Sequence, residues 1–403
     1  MTDEHSDTDR TYRNGTKRLS RRRFVATSAL MGAGALAGCP SNGGDGGDGD
    51  TGGDGSDGDT GGDESEPEIV GYGREGRGKP GGTPVADMPA LSGDLTVYSG
   101  RGEFLIGELM DFFREEYPDL DLQIRYGGAA DLANQIRTEG QASPADVFFT
   151  VNAGILGLLA SDGRLQSMPS DVLSLGREGY QDPDGQWIGT SGRIRSIPYN
   201  TNELSESDIP DNIMDFPAAD QLADNMGWAV TYGSFQGFIT VMRILEGEQA
   251  TREWLRGMAD LGIQEYSDEF RVTQAVADGE LLAGFTNHYY VIRVLDARPN
   301  APLDMTFTSG DAGSFFNVAG AGVVDSSDSP ELAANFIRHL LSAEAQDYFA
   351  RSATFEYPMI PEVEPIDRLP AFEELNPPDL DLAEFAQADI NETITLMEEE
   401  GIL

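Results

Sequence analysis

Short apolar runs alternate with amphipathic helical patterns along most of this chain, starting near residue 94. In the first helical pattern, Leu105, Leu109, Phe112 and Phe113 recur at helical spacing and mark one face. A strand, helix, strand, helix order is typical of parallel strands joined by helical crossovers, so the pattern predicts an α/β fold. The first three predicted strands are 95–98, 122–126 and 146–150, and the helices that follow them are 105–113, 132–138 and 155–161. A later strand is predicted at 228–232, and the last helix is predicted at about 382–399.

The length of the patterned region predicts two lobes. It spans about 310 residues, which is more than a single hydrophobic core usually holds. The alternating stretch 191–199 predicts an extended crossing between the lobes, and hence a hinge beside an interlobe cleft. Ligands of such sheets bind beyond the carboxyl ends of the strands. We predict that lobe 1 comprises 94–196 and 303–373, and that lobe 2 comprises 197–302 and 374–403.

Two adjacent tyrosines lie at a predicted strand-to-helix junction. The apolar run 281–286 predicts a buried strand, and Asn287 is a plausible N-cap for the helix that follows. At such a turn the hydroxyls of Tyr289 and Tyr290 can reach one point in a cleft, and paired phenolates are hard donors suited to ferric iron. The alternative is that one ring is buried in the core and the other is exposed. His288 is expected to pack or to face solvent, because helical neighbours point about 100° apart.

The first 93 residues predict export and tethering. The stretch 20–25, which contains Arg21 and Arg22, resembles the twin-arginine signature, and the apolar segment after it is too short to span a membrane. Residues 36–39 resemble a lipobox, which predicts a signal at 1–39 and lipid on Cys39; the alternative is cleavage without lipid. Cys39 is the only cysteine, so intrachain disulfides are excluded. Residues 40–93 are rich in Gly and Asp and predict a disordered acidic tether.

Charge narrows the possible partners. The chain has 70 acidic and 27 basic residues and a formal net charge of -43, which excludes electrostatic binding to nucleic acid or to anionic lipid. Its only lysines are Lys17 and Lys79. An acidic, lysine-poor protein with 39% hydrophobic residues resembles proteins of salt-loving organisms, in which salt screens the repulsion between carboxylates. We found neither a nucleophile elbow nor a zinc-protease motif, so an enzyme is not expected.

Several segments together resemble the ferric-iron-binding proteins of ABC importers, a branch of the type II periplasmic-binding-protein superfamily. The resemblance implies two α/β lobes that close around one metal ion, delivery of that ion to a membrane permease, and a monomer held outside the cell membrane by its lipid. The matching segments are 95–101, 143–149, 182–189, 191–195, 233–236, 287–290 and 356–358.

The resemblance also implies a ligand set. Tyr289 and Tyr290 match the metal-binding tyrosine pair of the family. In many relatives a histidine in the first loop and a carboxylate after the third strand complete the metal shell. Gly102 stands where that histidine is expected and Val151 where the carboxylate is expected. Asn152 and Glu103 are the neighbouring side chains that could substitute for them, and the departure leaves the metal shell open.

A bound anion, such as carbonate or phosphate, completes the metal shell in this family. The expected anion contacts include the start of the helix after Gly233, and the arginines named below either neutralise charge at the cleft or form surface ion pairs. Trp187 and Tyr232 are expected to be packing residues only. The residues assigned to the anion and the cleft are Ser234, Gln236, Asn287, Arg101, Arg193, Arg195, Asn152 and Glu269.

Two functions remain open from the sequence. The leading hypothesis is a lipid-anchored receptor that delivers ferric iron to an ABC permease. The alternative keeps the receptor fold but changes the ligand to an oxyanion or a small organic anion, because the usual histidine and carboxylate are missing.

Overall fold

A computed structural model describes residues 79–352 and 354–403, which contain twelve β-strands and twelve α-helices. The predicted signal at 1–39 and most of the predicted tether lie outside the described residues. The described helices are all too short or too polar to cross a bilayer. The strands are β1 (Gly93–Ser99), β2 (Leu120–Tyr126), β3 (Val147–Thr150), β4 (Leu165–Gln166), β5 (Ile188–Asn200), β6 (Met226–Trp228), β7 (Gln264–Glu265), β8 (Ala283–Gly284), β9 (Thr286–Asn287), β10 (Leu303–Thr306), β11 (Phe316–Val324) and β12 (Tyr357–Pro358). The helices are α1 (Glu103–Glu116), α2 (Ala129–Glu139), α3 (Ala153–Ser161), α4 (Ser170–Leu173), α5 (Gly233–Glu246), α6 (Glu248–Asp260), α7 (Glu269–Asp278), α8 (His288–Ala297), α9 (Pro330–Leu340), α10 (Ala343–Arg351), α11 (Leu382–Gln387) and α12 (Ile390–Glu399).

The strands form a mixed sheet in the order β2-β1-β3-β11-β5-β8-β6-β7. Strand β1 is parallel to β2 and β3, which confirms the predicted parallel start of the fold. Strand β6 is likewise parallel to β7 and β8, whereas β11 runs antiparallel to β3 and β5. Helices alternate with these strands along the chain, so the architecture is the predicted α/β class.

The longest strand, β5, links two groups of strands. Over its first half it pairs with β11, and over its last residues it pairs antiparallel with β10 and β8. Twelve of its 13 residues are buried, as expected for a strand covered on both faces. It contains the stretch 191–199 that was predicted to cross between lobes. The lobe boundaries themselves stay predictions.

The folded part begins earlier than predicted. Val85 and Leu91 are buried in the core beside α1 and α9, and the backbone N–H of Val85 donates to the Glu344 carboxylate at 2.9 Å. The N–H of Ala343 donates to the Thr83 carbonyl at 2.9 Å. The prediction of a disordered tether through residue 93 was therefore wrong at its end, because this short segment supplies apolar side chains that α1 and α9 leave space for.

Three predicted elements differ in their limits. The stretch 228–232 is not one strand: β6 ends at Trp228, and the chain then turns into α5. The predicted strand 281–286 is present as the short strands β8 and β9. The predicted last helix is divided into α11 and α12, because the Asp389 side chain accepts from the N–H of Asn391 and starts a second helix.

Candidate metal and anion site

The tyrosine pair lies in the first turn of α8, at the predicted strand-to-helix junction. Asn287 ends β9 and precedes the helix, but its side chain does not cap it; its Nδ2 donates to the Tyr289 hydroxyl at 3.1 Å. The rings of Tyr289 and Tyr290 lie 4.6 Å apart between centroids. Tyr290 is buried and Tyr289 is half-buried. The junction therefore brings both phenols to the same side of the helix start.

Tyr232 is a third phenol beside this pair; its ring packs against Tyr290, as expected, and its hydroxyl makes a contact that was not expected. It is the residue before α5, and its hydroxyl lies 2.7 Å from the hydroxyl of Tyr290. The two tyrosines are 58 residues apart, so no local spacing links them. The available signal was its position: it is the last residue of the strand predicted at 228–232 and precedes a helix, which is where ligands of an α/β sheet bind.

The surroundings of Tyr289 and Tyr290 favour the neutral form of both phenols. Burial raises the pKa of Tyr289, and burial together with the negative charges of Tyr289 and Glu269 also raises the pKa of Tyr290. Arg293 lies over both rings, 4.7 Å from the centroid of Tyr289 and 5.4 Å from that of Tyr290. Arg193 acts against burial by lowering the pKa of Tyr289 through its charge. A bound metal ion can displace these protons, since a multivalent cation dominates the local field.

Beside the phenols, the first turn of α5 forms a buried polar cluster with residues of β5 and α7. Ser234 lies in that turn, and its hydroxyl donates to the Glu269 carboxylate at 2.5 Å. Arg195 forms an ion pair with Glu269, and its Nη1 lies 3.5 Å from the Ser234 hydroxyl. The second terminal guanidinium nitrogen of Arg195, Nη2, is buried and has no hydrogen-bond partner within the described residues. The backbone N–H of Asn287 donates to Glu269 at 2.9 Å.

This geometry changes the role predicted for Glu269. The residue is fully buried and accepts from Arg195, Ser234 and Asn287. A carboxylate has no proton to donate to an anion, so Glu269 positions the donors around it, and a role at the anion stays a prediction. Gln236 lies one turn into α5, and its Nε2 is 3.5 Å from the Val230 carbonyl, at the limit of a hydrogen bond.

Other predicted residues lie apart from the phenols or are already engaged. Arg101 is fully buried in an ion pair with Glu356 at 2.8 Å and does not face an open cleft, which corrects its predicted role. Arg193 is half-buried and donates to the Val151 carbonyl at 2.5 Å. Asn152 caps α3 by accepting from Gly154 at 2.8 Å, so its oxygen is occupied as a helix cap. Gly102 and Glu103 are exposed.

Both histidines in the described part of the chain are fully buried. His288 is fully buried, accepts from the N–H of Ile194 at 3.2 Å, and donates from Nε2 to the Phe355 carbonyl at 2.8 Å. Burial lowers the pKa of His288 to about 4. Among the described residues there is no group of three or more His, Cys, Asp or Glu side chains that could hold a metal ion. Phenol oxygens are therefore the main candidate protein ligands.

The α/β topology and the polar site at the starts of α5 and α8 define the class of an extracytoplasmic solute-binding protein. Residues 108–375 match the family described as bacterial extracellular solute-binding proteins, and the chain belongs to that family. This assignment confirms the expectation that the chain is not an enzyme.

Iron-binding proteins are among its relatives. The major ferric iron-binding protein of Neisseria meningitidis is 30% identical over 299 residues, which cover 71% of this chain and 88% of the relative. The chain is also similar to the structure of iron-bound HitA from Pseudomonas aeruginosa, with 30% sequence identity and a TM-score of 0.68. The match covers 78% of this chain and 100% of the HitA chain. A Trichodesmium protein solved in complex with iron and citrate ligands has 26% sequence identity to this chain and a TM-score of 0.68. The match covers 77% of this chain and 100% of the Trichodesmium chain.

Proposed function

We propose that this chain is the substrate-binding component of an ABC importer and binds ferric iron through Tyr289, Tyr290 and Tyr232. The observation that carries the proposal is the contact between the hydroxyls of Tyr232 and Tyr290, at 2.7 Å, with the Tyr289 ring beside them. Three converging phenols are a hard, potentially anionic donor set, which suits a hard trivalent ion. The ferric relatives at 30% identity support the same ligand.

The site residues would have two roles in binding: the phenols release protons and bind the metal, and Asn287 orients one of the phenols. On binding, each phenol that coordinates iron gives up its proton, and the contact between Tyr232 and Tyr290 brings two of these oxygens together. Asn287 orients Tyr289 through the 3.1 Å hydrogen bond to its hydroxyl. Three phenolates would balance the three charges of ferric iron while leaving coordination positions open for an exogenous ligand.

We propose that a synergistic anion, with carbonate or phosphate as the expected examples, occupies the pocket at the start of α5. The helix has 14 residues, and its N-terminus carries partial positive charge. The unpartnered Nη2 of Arg195 and the hydroxyl of Ser234 supply donors at the same place. With no carboxylate free to bind the metal among the described site residues, iron binding should depend strongly on this anion.

The test is the visible spectrum of the mature protein in concentrated salt. After stripping with a chelator, ferric iron is added with bicarbonate or with phosphate, and phenolate-to-iron charge transfer should give a coloured complex with one ion per chain. Tyr289→Phe, Tyr290→Phe and Tyr232→Phe keep the rings but remove the donor oxygen, and each should weaken binding at least about 100-fold, or about 2.7 kcal/mol. Tyr180→Phe is the control, because its ring packs on Phe316 instead.

A colourless protein would contradict the proposal. If its thermal stability ignored iron but rose with an oxyanion or a small organic acid, the alternative function would replace it. Loss of colour in the Tyr180 control as well would indicate damage to the fold and not loss of ligands.

We further propose that the chain acts outside the cell as a monomer, anchored by lipid on Cys39 after export through the twin-arginine route, and serves a membrane permease. Seven basic and four acidic residues leave with the signal, so the mature chain keeps 20 basic and 66 acidic residues. We propose that this excess reflects a salt-rich environment. The two predicted lobes would close on the iron about the crossing strand β5.

A further inference from the structure

A buried carboxylate lies against the proposed anion pocket. Glu269 begins α7 and is fully buried, and it accepts from three different parts of the chain: Arg195 on β5, Ser234 in α5 and Asn287 before α8. Two of these donors, Arg195 and Ser234, are also the donors proposed for the anion. An anion in this pocket therefore enters beside a negative charge that already holds its partners.

We propose that Glu269 is a specificity-determining residue that makes anion binding conditional on the metal. The inference rests on the proposed function of the phenol site. Without metal, Glu269 neutralises Arg195 and accepts a hydrogen bond from the Ser234 hydroxyl, so a free oxyanion meets repulsion and has few unoccupied donors. Repulsion between like charges at an interface is a common means of rejecting the wrong ligand.

Bound iron would offset the repulsion between Glu269 and the anion. A ferric ion at the phenols supplies an attraction that the pocket lacks by itself, and the anion can coordinate it directly. The Ser234 hydroxyl can rotate from Glu269 towards the anion, and Nη2 of Arg195 is available without breaking the ion pair. The receptor would thus accept an oxyanion that arrives with the metal and reject the same oxyanion when it is free.

Removing the charge of Glu269 should increase the affinity for a free oxyanion, and a loosened fold would not produce such a gain. Glu269→Gln removes the negative charge but retains a similar shape and one amide oxygen as an acceptor. Arg195 then becomes an unneutralised buried cation at the start of α5. Metal-free Glu269→Gln protein should bind inorganic phosphate at least about tenfold more tightly than metal-free wild-type protein, a difference of about 1.4 kcal/mol.

The matched control is Glu356→Gln. Glu356 also pairs with a buried arginine, Arg101, at 2.8 Å, so the substitution removes the same charge from a similar ion pair outside the anion pocket. Phosphate binding is measured by isothermal titration calorimetry in metal-free buffer at constant salt, and circular dichroism checks the fold. No gain for Glu269→Gln, or an equal gain for Glu356→Gln, would overturn the inference.

A second measurement uses wild-type protein only, in case Glu269→Gln does not fold. Gallium(III) replaces ferric iron, and phosphate binding is compared with and without it. Binding at least about tenfold tighter with gallium is expected, and tight binding that ignores gallium would overturn the inference. A wild-type protein that takes up neither gallium nor iron with any anion would instead contradict the proposed function, so the two failures are distinguishable.

Discussion

Burial of His339 should make the unfolding free energy depend on pH, by an amount that follows from its lowered pKa. It lies near the end of α9 and is fully buried; its Nδ1 donates to the Asn335 carbonyl at 2.7 Å, and its Nε2 accepts from the Tyr117 hydroxyl at 2.8 Å. Burial lowers the pKa of His339 to about 4, from about 6.5 in an unfolded chain. The perturbation is His339→Asn, which removes the titrating ring but keeps an amide donor.

The sign and the magnitude follow from proton linkage. Between pH 6.5 and 4 the unfolded chain binds a proton on His339 that the folded chain does not, so stability rises with pH across this window. The part of the unfolding free energy that depends on a neutral His339 is complete above about pH 6.5 and is lost as the pH falls towards about 4. Between pH 8 and pH 5 the folded protein should lose about 2 kcal/mol through this residue. The His339→Asn variant should lack that part of the pH dependence.

The assay is urea unfolding, followed by circular dichroism, at pH 8 and pH 5 with the salt concentration held constant. The difference in unfolding free energy between the two pH values should be about 2 kcal/mol smaller in His339→Asn than in wild-type protein. Tyr117→Phe is the control, because it removes a hydrogen-bond partner but leaves the histidine buried and neutral. An unchanged pH dependence in His339→Asn would refute the reasoning.

Three further predictions test packing, salt and location. A Cβ at Gly157 would lie 2.3 Å from the Cβ of Ala386, so Gly157→Ala should lower the unfolding free energy by about 1–3 kcal/mol in the same urea assay. Gly107→Ala is the control: its Cβ would meet only the Glu103 side chain, so the change should be neutral or slightly stabilising. Lowering salt from about 1 M to about 0.1 M lengthens the Debye length from about 3 Å to about 10 Å and should lower the melting temperature; a salt-independent value would contradict the halophilic proposal. Cys39→Ala should release the protein from membranes or stop its processing in fractionation experiments, and processed Cys39→Ala protein that stays on the membrane would exclude the lipid anchor.

The first part of the fold was predictable because its signals are local. The apolar runs of β1, β2 and β3 and the spaced apolar positions of α1 each identify an element within a few residues. The order of these elements then implied parallel strands, which the pairing of β1 with β2 and β3 confirms. The early start of the folded part was missed because Val85 and Leu91 are isolated apolar residues in a polar stretch, and only the surface of α1 and α9 shows where they pack.

The site was predictable only where its residues are neighbours in sequence. Tyr289 and Tyr290 are adjacent, and the apolar pattern on either side of Asn287 indicates the strand-to-helix turn that precedes them. Tyr232 lies 58 residues from its partner, and the Glu269 pair with Arg195 joins residues 74 apart. Arg101 was misplaced for the same reason, since its partner Glu356 is 255 residues away. Hydrogen-bonding partners at such separations are set by tertiary packing, which local spacing does not reveal.

The absence of an imidazole or carboxylate cluster from the described site has a consequence for metal competition. Zinc, nickel and copper bind best to sites that contain nitrogen or sulfur ligands, and they outcompete other divalent ions at mixed sites. His288 has both ring nitrogens engaged with the backbone, and Glu269 is engaged by three donors, so neither offers such ions a free ligand. A receptor that depends on phenols should therefore stay unblocked by these metals in mixtures where they far outnumber iron.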